Sequence, residues 1–280
     1  VQRERLRMKT DISGKVILIT GGGKGIGREI ARIFAQHGNT IIITGRTESA
    51  LKDTAKTLTD EGHDVIYHVG DVTSREDCQR IVESVVDQYN RLDVLINNAG
   101  MSSRGFFEDM SLDAFQKIIN INFTGAVTMT KFALPAIKQS KGSVIFIGSL
   151  SGLKGLPGIA PYGTAKMALT GFSDSLRSEL FPAGVHVGIL YVGFTENDRS
   201  KTVYDAEGNL MPIPTRKNFD TQENVAKAVY RCVQRRKNKL YLTTMGKTAN
   251  FLYRIFPRLT DTLLVRNGTK IFPKDSYESK

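Results

Sequence analysis

The apolar and polar positions of this chain follow two periods that alternate along its length. Short runs rich in Val and Ile, such as residues 16–20 and 40–43, predict β-strands. Longer stretches with apolar residues every three or four positions predict amphipathic helices between them. Strands that alternate with helices in this way favour a parallel sheet. The predicted strands are 16–20, 40–43, 65–69, 93–96, 143–147, 185–191 and 240–243, and the predicted helices are 28–36, 48–60, 74–89, 111–137, 161–180 and 221–236.

The connection after the sixth predicted strand, residues 192–220, is long and mixed in composition. Connections of that length inside a compact domain are usually lids or binding loops. The chain has 280 residues, 40% of them apolar, which is enough for one sizeable core. We therefore expect one domain, residues 11–245, between a flexible segment of residues 1–10 and an extension of residues 246–280.

A glycine-rich turn, GGGKGIG at residues 21–27, joins the first strand to the first helix. Glycines let the backbone turn tightly and approach a pyrophosphate, and the free amides at the start of a helix attract its negative charge. The turn therefore predicts a dinucleotide site. Its candidate residues are Gly21, Gly23, Lys24, Gly25, Ile26 and Gly27.

Arg46 follows the second strand, 19 residues after Gly27, where an acidic residue would hold the ribose hydroxyls of NAD. Together with Lys24, it offers two cations to a 2′-phosphate and no carboxylate to repel it. This pattern favours NADP(H) as the cofactor. The alternative is that both cations are solvated surface charges.

Small and polar residues follow two further strands. Ligands of open α/β sheets bind at the carboxyl ends of the strands, near the glycine-rich turn. Small residues there leave room for a flat cofactor. The candidate residues are Asp71 and Val72 after the third strand, and Asn98, Ala99 and Gly100 after the fourth.

Tyr162 and Lys166 lie four positions apart on a predicted helix, so they share one face. A fixed cation favours phenolate and moves the pKa of Tyr162 from about 10 toward neutrality, where a general acid or base works best. Ser149, after the fifth strand, could hold the substrate oxygen. Asn122 is unfavourable inside a helix and is a candidate to hold a water or a backbone carbonyl beside Lys166, although a solvated Asn is the alternative.

Composition places further bounds on function. Cys78 and Cys232 have neither metal-ligand spacing nor a disulfide framework, which suits a structural role in a reducing, cytoplasmic compartment. The four histidines are scattered, so no metal site is predicted. The first ten residues are basic without the apolar segment of a secretory signal, and no apolar run is long enough to span a bilayer.

The positive charge is concentrated near the carboxyl terminus. Residues 231–280 contain 12 Lys and Arg against 3 Asp and Glu, whereas the whole chain has 39 against 28. An apolar stripe recurs every four residues there, which predicts an amphipathic helix with a kink at Pro257. The stripe is Phe251, Ile255, Leu259 and Leu263, flanked by Leu252, Phe256 and Leu264, and its charged residues are Lys247, Arg254, Arg258, Arg266 and Asp261.

A basic amphipathic helix with aromatic residues suits an anionic membrane surface, which makes peripheral membrane contact one hypothesis for this extension. The alternative is that the stripe packs on its own domain or on a partner subunit. Nucleic-acid binding is disfavoured because the extension has no recognisable reading motif.

These motifs together resemble the short-chain dehydrogenase/reductase (SDR) family over roughly residues 12–245. The resemblance rests on TGxxxGxG from Thr20 to Gly27, on NNAG at 97–100, and on Asn122, Ser149, Tyr162 and Lys166 in the family's order. It implies a single Rossmann-like, doubly wound parallel sheet of about seven strands, and a homodimer or homotetramer built through the helices holding Asn122 and Tyr162.

In that family the Tyr transfers the proton, the Ser positions the substrate oxygen, the Lys lowers the Tyr pKa and binds the nicotinamide ribose, and the Asn supports a proton relay. Gly193 and Thr195 follow the sixth strand as further cofactor candidates. The chain departs from the family at Val192, where Pro is usual, and at Asn197, where a hydroxyl residue is usual. This puts in doubt the backbone path beside the nicotinamide amide.

The predicted function is therefore the interconversion of a carbonyl and a secondary alcohol with NADP(H), Tyr162 acting as general acid and base. An apolar, lipid- or steroid-like substrate is expected if the extension lies on a membrane. The alternative is a catalytically inactive NADP(H)-binding sensor or scaffold.

Overall fold

The structure, a computed structural model, describes residues 10–198, 201–213 and 219–271. Within the last range, the side chains of residues 244, 245, 249, 250, 254, 264 and 267–271 are outside the description. The predicted flexible segment of residues 1–10 therefore lies outside the described residues except for Thr10, whose N–H donates to Gln234 O at 2.8 Å.

Seven parallel strands form the main sheet in the order β3-β2-β1-β4-β5-β6-β9, and β7 pairs with β8 in an antiparallel hairpin. The strand order reverses between β1 and β4, which makes the sheet doubly wound. The strands are β1 Val16–Thr20, β2 Thr40–Gly45, β3 Val65–Val69, β4 Val94–Asn97, β5 Ser143–Ser149, β6 His186–Val192, β7 Thr202–Tyr204, β8 Leu210–Pro212 and β9 Lys239–Tyr241.

Helices connect these strands. They are α1 Gly25–Ala35, α2 Glu48–Asp60, α3 Arg75–Tyr89, α4 Leu112–Ile119, α5 Gly125–Ser140, α6 Ala160–Leu180, α7 Gln222–Gln234, α8 Thr244–Ile255 and α9 Pro257–Ile271. A π-helical turn, Asn120–Thr124, joins α4 to α5, and short 3₁₀ turns occupy Phe107–Asp109 and Leu150–Gly152. No helix within the described residues is long and apolar enough to cross a membrane.

Helices cover both faces of the sheet. Because successive strand residues point to opposite faces, each strand can place side chains in the core on either side. In β1, Ile17 and Ile19 join the core cluster that contains residues of α1, α2 and α7. Val16 and Leu18 join the other cluster, which contains residues of α3, α5 and α6. Strand β1 therefore contributes to both cores, and its carboxyl end opens toward the edge where the candidate site lies.

Several element bounds differ from the predicted ones. Helix α1 starts at Gly25, three residues before the predicted start at 28. The prediction was late because the first turn of the helix lies in the glycine-rich segment, and glycine is a poor helix former. Strand β5 continues beyond 147 and includes Ser149. The single helix predicted for 111–137 is divided by the π-helical turn and ends at Ser140.

The long connection 192–220 contains structure that the sequence pattern did not predict. Its described part includes the hairpin of β7 and β8, closed by Gly208 with φ of 86° and by Asp205, which accepts the N–H groups of Glu207 and Asn209. In the extension, the predicted kink at Pro257 is a complete break, and α8 and α9 are separate helices. Proline ends the hydrogen-bond ladder of a helix because it has no N–H.

Candidate active site

The glycine-rich turn packs tightly against the ends of β1 and β4. Gly21 and Gly25 have positive φ angles of 67° and 57°, which residues with side chains rarely adopt. A Cβ on Gly27 would overlap the carbonyl oxygen of Gly21, so only glycine fits there. Asn98 Nδ2 donates to the carbonyls of Thr20 and Gly21 at 3.0 and 3.1 Å, which fixes the turn to the residue after β4.

Thr20 was not among the predicted site residues, although it lies at the centre of this junction. Its buried Oγ1 accepts the N–H groups of Asn98 and Ala99, each at 3.0 Å. This side chain aligns the end of β1 with the start of the segment that follows β4. The available sequence signal was the hydroxyl residue immediately before the glycines.

Asn122 lies in the π-helical turn and is buried. Its Nδ2 donates to the carbonyls of Ile118 and Met101 at 2.9 and 2.8 Å, and its Oδ1 accepts the N–H of Met101 at 3.2 Å. The Asn122 amide therefore ties the π-helical turn to Met101 and holds the segment after β4 in place.

Lys166 lies beside Asn122 in the interior. Its Nζ donates to the carbonyl of Ile147 in β5 at 3.0 Å, and only 5% of the residue is exposed. Burial lowers the pKa of Lys166 to about 8. A Cβ on Gly100 would lie 2.7 Å from Asn122 Oδ1 and 3.4 Å from Lys166 Nζ, so glycine at this position allows the two side chains to approach each other.

Tyr162 lies one helical turn before Lys166 in α6 and is partly buried. Lys166 Nζ is 5.7 Å from the centroid of the Tyr162 ring. The apolar residues packed together with this ring are Met101, Ile118, Ile121 and Tyr204. The predicted Tyr–Lys juxtaposition is therefore present, at the edge of a small apolar cluster.

Ser149 is the last residue of β5, two positions after the carbonyl that Lys166 binds. Its Oγ accepts the N–H of Ser151 at 3.2 Å, which starts the 3₁₀ turn that follows the strand. The side chain is partly exposed at the carboxyl end of the sheet. Lys166 thus connects the four predicted catalytic residues. It lies close to Asn122 and Tyr162, and it binds β5 two residues before Ser149.

Arg46 and Lys24 are both exposed at the opening of the turn. Arg46 Nη1 lies 3.9 Å from Asp71 Oδ2, a weak, solvent-exposed ion pair. Position 46 itself has no carboxylate, but Asp71 brings one to within ion-pair distance of Arg46. Asp71 follows β3, and its other oxygen accepts the N–H and the hydroxyl of Thr73, both at 2.9 Å. Val72 packs next to Gly125, where a Cβ would be 2.8 Å from a Val72 methyl group.

The segment after β6 closes the same end of the sheet. Val192 ends β6 in register with Ser149, so the strand continues through the position where the family usually has Pro. Thr195 is buried, and its Oγ1 donates to Gly193 O at 3.3 Å. Asn197 is also buried and donates to Asp198 O at 3.2 Å.

Asp198 is a second residue that the sequence did not identify. Its carboxylate lies near Gly25, 3.8 Å from the place of a Cβ on that glycine, and 3.9 Å from Arg28 Nη2. Gln222 Nε2 also donates to this carboxylate at 3.4 Å. The segment after β6 therefore lies beside the glycine-rich turn and the first turn of α1. No spacing rule connects these positions, because the contact depends on the path of the chain after β6.

The cysteines are free and buried, and burial raises the pKa of Cys78 to about 11 and of Cys232 to about 12. Both thiols are protonated near neutral pH, as expected for structural residues. Among residues 10–198, 201–213 and 219–271, no group of three His, Cys, Asp or Glu side chains could hold a metal ion.

A doubly wound parallel sheet with a glycine-rich turn after its first strand, at the point where strand order reverses, defines a dinucleotide-binding α/β protein. Comparison with known families makes this assignment more specific. The short chain dehydrogenase family profile matches residues 15–208, and the chain belongs to this family. It is accordingly an oxidoreductase of a family that binds a nicotinamide cofactor and acts on small molecules with CH–OH or C=O groups.

Two relatives show how far the similarity extends. The uncharacterized oxidoreductase YxnA of Bacillus subtilis is 32% identical over 94% of this chain and 74% of its own length. The 11-beta-hydroxysteroid dehydrogenase-like 4A of Arabidopsis thaliana is 38% identical over 66% of this chain. The matched part is 62% of the Arabidopsis protein, less than two thirds of its length.

Solved structures agree with the fold. A short chain dehydrogenase/reductase from Burkholderia phymatum in complex with NAD has a TM-score of 0.78 at 20% identity, covering 90% of this chain and 96% of that one. The apo form of LigD from Sphingobium has a TM-score of 0.75 at 23% identity, covering 90% of this chain and 98% of that one. At these identities the similarity concerns the fold alone.

Proposed function

We propose that this protein interconverts a carbonyl and a secondary alcohol with NADP(H), and that Tyr162 is the general acid and base. The observation that carries the proposal is the buried Lys166 ammonium, 5.7 Å from the Tyr162 ring centroid. A cation held there favours the phenolate and so eases proton transfer at the Tyr162 oxygen. Asn122 and the Ile147 carbonyl hold the surroundings of this ammonium in place.

The fit of a dinucleotide is supported by the glycines of the turn. A Cβ on Gly21 would lie 3.1 Å from Ala99 Cα, and one on Gly27 would overlap Gly21 O, so these two glycines permit the tight turn and its close packing. At Gly25 the atom nearest to the place of a Cβ is 3.8 Å away, which leaves the backbone there open to the close approach that a pyrophosphate needs. Arg46 and Lys24 would hold the 2′-phosphate of NADP(H). When bound, the nicotinamide supplies or accepts the hydride, while Ser149 would orient the substrate oxygen.

An apolar substrate is supported by the neighbours of Tyr162. The ring packs in a cluster with Met101, Ile118, Ile121 and Tyr204, so a substrate oxygen at the phenol would have a largely hydrocarbon environment around it. The Arabidopsis relative and the Sesamum indicum protein that is 33% identical over 67% of this chain are named hydroxysteroid dehydrogenases. We therefore infer a lipid- or steroid-like carbonyl or alcohol.

Replacing Tyr162 by Phe tests the reaction. We expect kcat to fall by at least about 10²-fold with an apolar carbonyl substrate, because the general acid is lost while the ring remains. NADPH binding, measured by fluorescence titration, should stay within a few fold of the wild type. The matched control is Tyr230→Phe on α7, which should retain full turnover. Near-normal turnover of Tyr162→Phe would contradict the proposal, and NADPH binding without turnover across a broad carbonyl panel would favour the inactive sensor instead.

Replacing Arg46 by Asp tests the cofactor preference. The change removes a charge-assisted contact, worth roughly 1.5 to 3 kcal/mol, and adds a carboxylate that repels the 2′-phosphate. We expect the Kd for NADPH to rise about tenfold or more, with the Kd for NADH little changed or lower. Arg46→Lys keeps the charge but not the planar fork, so it should give an intermediate value. Equal NADPH affinity in Arg46→Asp and the wild type would exclude NADP(H) selection by this residue.

A further inference from the structure

A basic cavity lies at the edge of the main sheet, beside β9. Its volume is about 520 Å³, and it lies between α7, β9 and the start of α8. Five Lys and Arg side chains line it against a single carboxylate. These residues are Lys227, Arg231, Arg235, Lys237, Lys247 and Asp220.

Most of this positive charge is not neutralised within the protein. Lys227 pairs with Glu223 at 3.0 Å. In the part of the chain that the structure describes, none of the other four cations has a carboxylate within 4.0 Å. Asp220 accepts the N–H of Thr221 and the amide of Asn224, each at 3.0 Å, so its charge is engaged at the start of α7. The cavity therefore attracts anions.

An exposed apolar stripe continues from this cavity along the extension. Phe251 and Ile255 of α8 are 58% and 55% exposed, and Leu259 and Leu263 of α9 are 54% and 50% exposed. Lys247, Phe251 and Ile255 are four residues apart and lie on one side of α8, so the cation of the cavity wall and the stripe adjoin. The alternative in which this stripe is buried against its own domain does not hold for these four apolar residues.

The same two helices are held beside the candidate active site. A Cβ on Gly246 would lie 2.7 Å from Leu150 Cδ2, so the first turn of α8 packs on the residue after Ser149. Asp261 of α9 forms an ion pair with Lys154, in the connection between β5 and α6. A surface that binds α8 and α9 would therefore lie at a fixed distance from the connection between β5 and α6.

We propose that the basic cavity and the exposed stripe of α8 and α9 form one docking surface for an anionic membrane interface. The apolar residues would enter the boundary between headgroups and acyl chains, and the cations would lie near lipid phosphates and carboxylates. A second copy of the chain is a poorer occupant, because a two-fold contact brings the same cations against each other. A nucleic acid would match the cavity but would leave the stripe in water.

Vesicle flotation tests this surface with the full chain, without substrate or cofactor, so its outcome is independent of the proposed reaction. The probes are vesicles of phosphatidylcholine alone and of phosphatidylcholine with phosphatidylserine. We expect flotation with the anionic vesicles only, weakened by high salt. Arg231→Glu combined with Lys247→Glu, and Ile255→Asp combined with Leu259→Asp, should each reduce partitioning by about tenfold or more.

Matched controls change equally exposed residues elsewhere. Lys52→Glu with Lys138→Glu reverses two exposed charges on α2 and α5, and Phe181→Asp alters a 70% exposed side chain after α6. Both should float like the wild type, and thermal melting should show that every variant is folded. The proposal is overturned if the wild type ignores anionic vesicles or if the controls lose as much binding as the test variants. It is also overturned if the stripe variants convert an oligomer to a monomer while flotation is unchanged, which would identify a second copy as the occupant.

Discussion

At the scale of single residues, Lys166 combines burial with charge. Its lowered pKa, about 8 against an ordinary value near 10.5, means that the folded state disfavours the ammonium by roughly 3 kcal/mol. The hydrogen bond to Ile147 O offsets part of this cost. Such a cost is typical of a residue that is retained for chemistry rather than for stability.

The stability of the protein should therefore depend on pH through Lys166. Between about pH 8 and 10.5 the unfolded chain binds a proton there that the folded chain does not, so the free energy of unfolding rises with pH in this window. Lys166→Met removes that rise, and at pH 7 it should be more stable than the wild type by about 1 to 2 kcal/mol, after the lost hydrogen bond is allowed for. Urea unfolding at pH 7 and pH 10 measures both effects.

Lys131→Met is the control for this prediction, because Lys131 is exposed on α5. It should keep the pH dependence of the wild type. If Lys166→Met and the wild type show the same change in stability between pH 7 and pH 10, the buried ammonium is not the source of that change.

The residues that the sequence identified are those whose roles depend on local spacing. Tyr162 and Lys166 share a helix face, and the glycines of the turn adjoin one another, so a pattern of a few positions was sufficient. Thr20 and Asp198 were missed because their contacts join distant parts of the chain, β1 to β4 and the segment after β6 to the turn. For Thr20 the only sequence signal was the hydroxyl residue immediately before the glycines, and for Asp198 the sequence contains no direct signal.

At the scale of elements, the strands and most helices followed from apolar periodicity, with shifts of a few residues at their ends. The π-helical turn at Asn120–Thr124 did not, because its apolar pattern continues through α4 and α5 as though the helix were regular. Two Asn residues inside the pattern were the only sign of irregularity. The hairpin of β7 and β8 was missed because its strands have three residues each and one of them is mostly exposed, so neither produces a clear alternation.

At the scale of the whole molecule, the alternation of strands and helices predicted a parallel sheet, and the resemblance to the SDR family implied that this sheet is doubly wound with about seven strands. The observed strand order confirms both. The division into residues 11–245 and an extension stays a prediction, as do the homo-oligomer built through the helices holding Asn122 and Tyr162 and the cytoplasmic location. The contact of Gly246 with Leu150 shows why sequence alone could not describe the extension. Its helices were predictable from periodicity, but their placement beside β5 depends on tertiary packing.

Global stability should decrease in mild acid because of His186, which is buried at the start of β6. Its Nδ1 lies 3.2 Å from Ser143 Oγ in β5, and its Nε2 lies 3.0 Å from the carbonyl of Lys237, just before β9. Burial lowers the pKa of His186 to about 3, so the folded protein keeps the ring neutral where the unfolded chain would protonate it. The free energy of unfolding should therefore fall as the pH decreases from about 6.5 toward 3.

This loss should reach roughly 2 to 3 kcal/mol at a pH of about 4.5. His186→Gln keeps an amide donor for the Lys237 carbonyl but has no proton to bind, so it should start slightly less stable at pH 7 and lose less on acidification. His37→Gln, at an exposed histidine, should follow the wild-type curve. Urea unfolding of the three proteins at pH 7 and 4.5 compares these slopes. Parallel losses in His186→Gln and the wild type would show that other groups, and not this buried imidazole, couple the fold to pH, because every other titratable side chain is unchanged between the two.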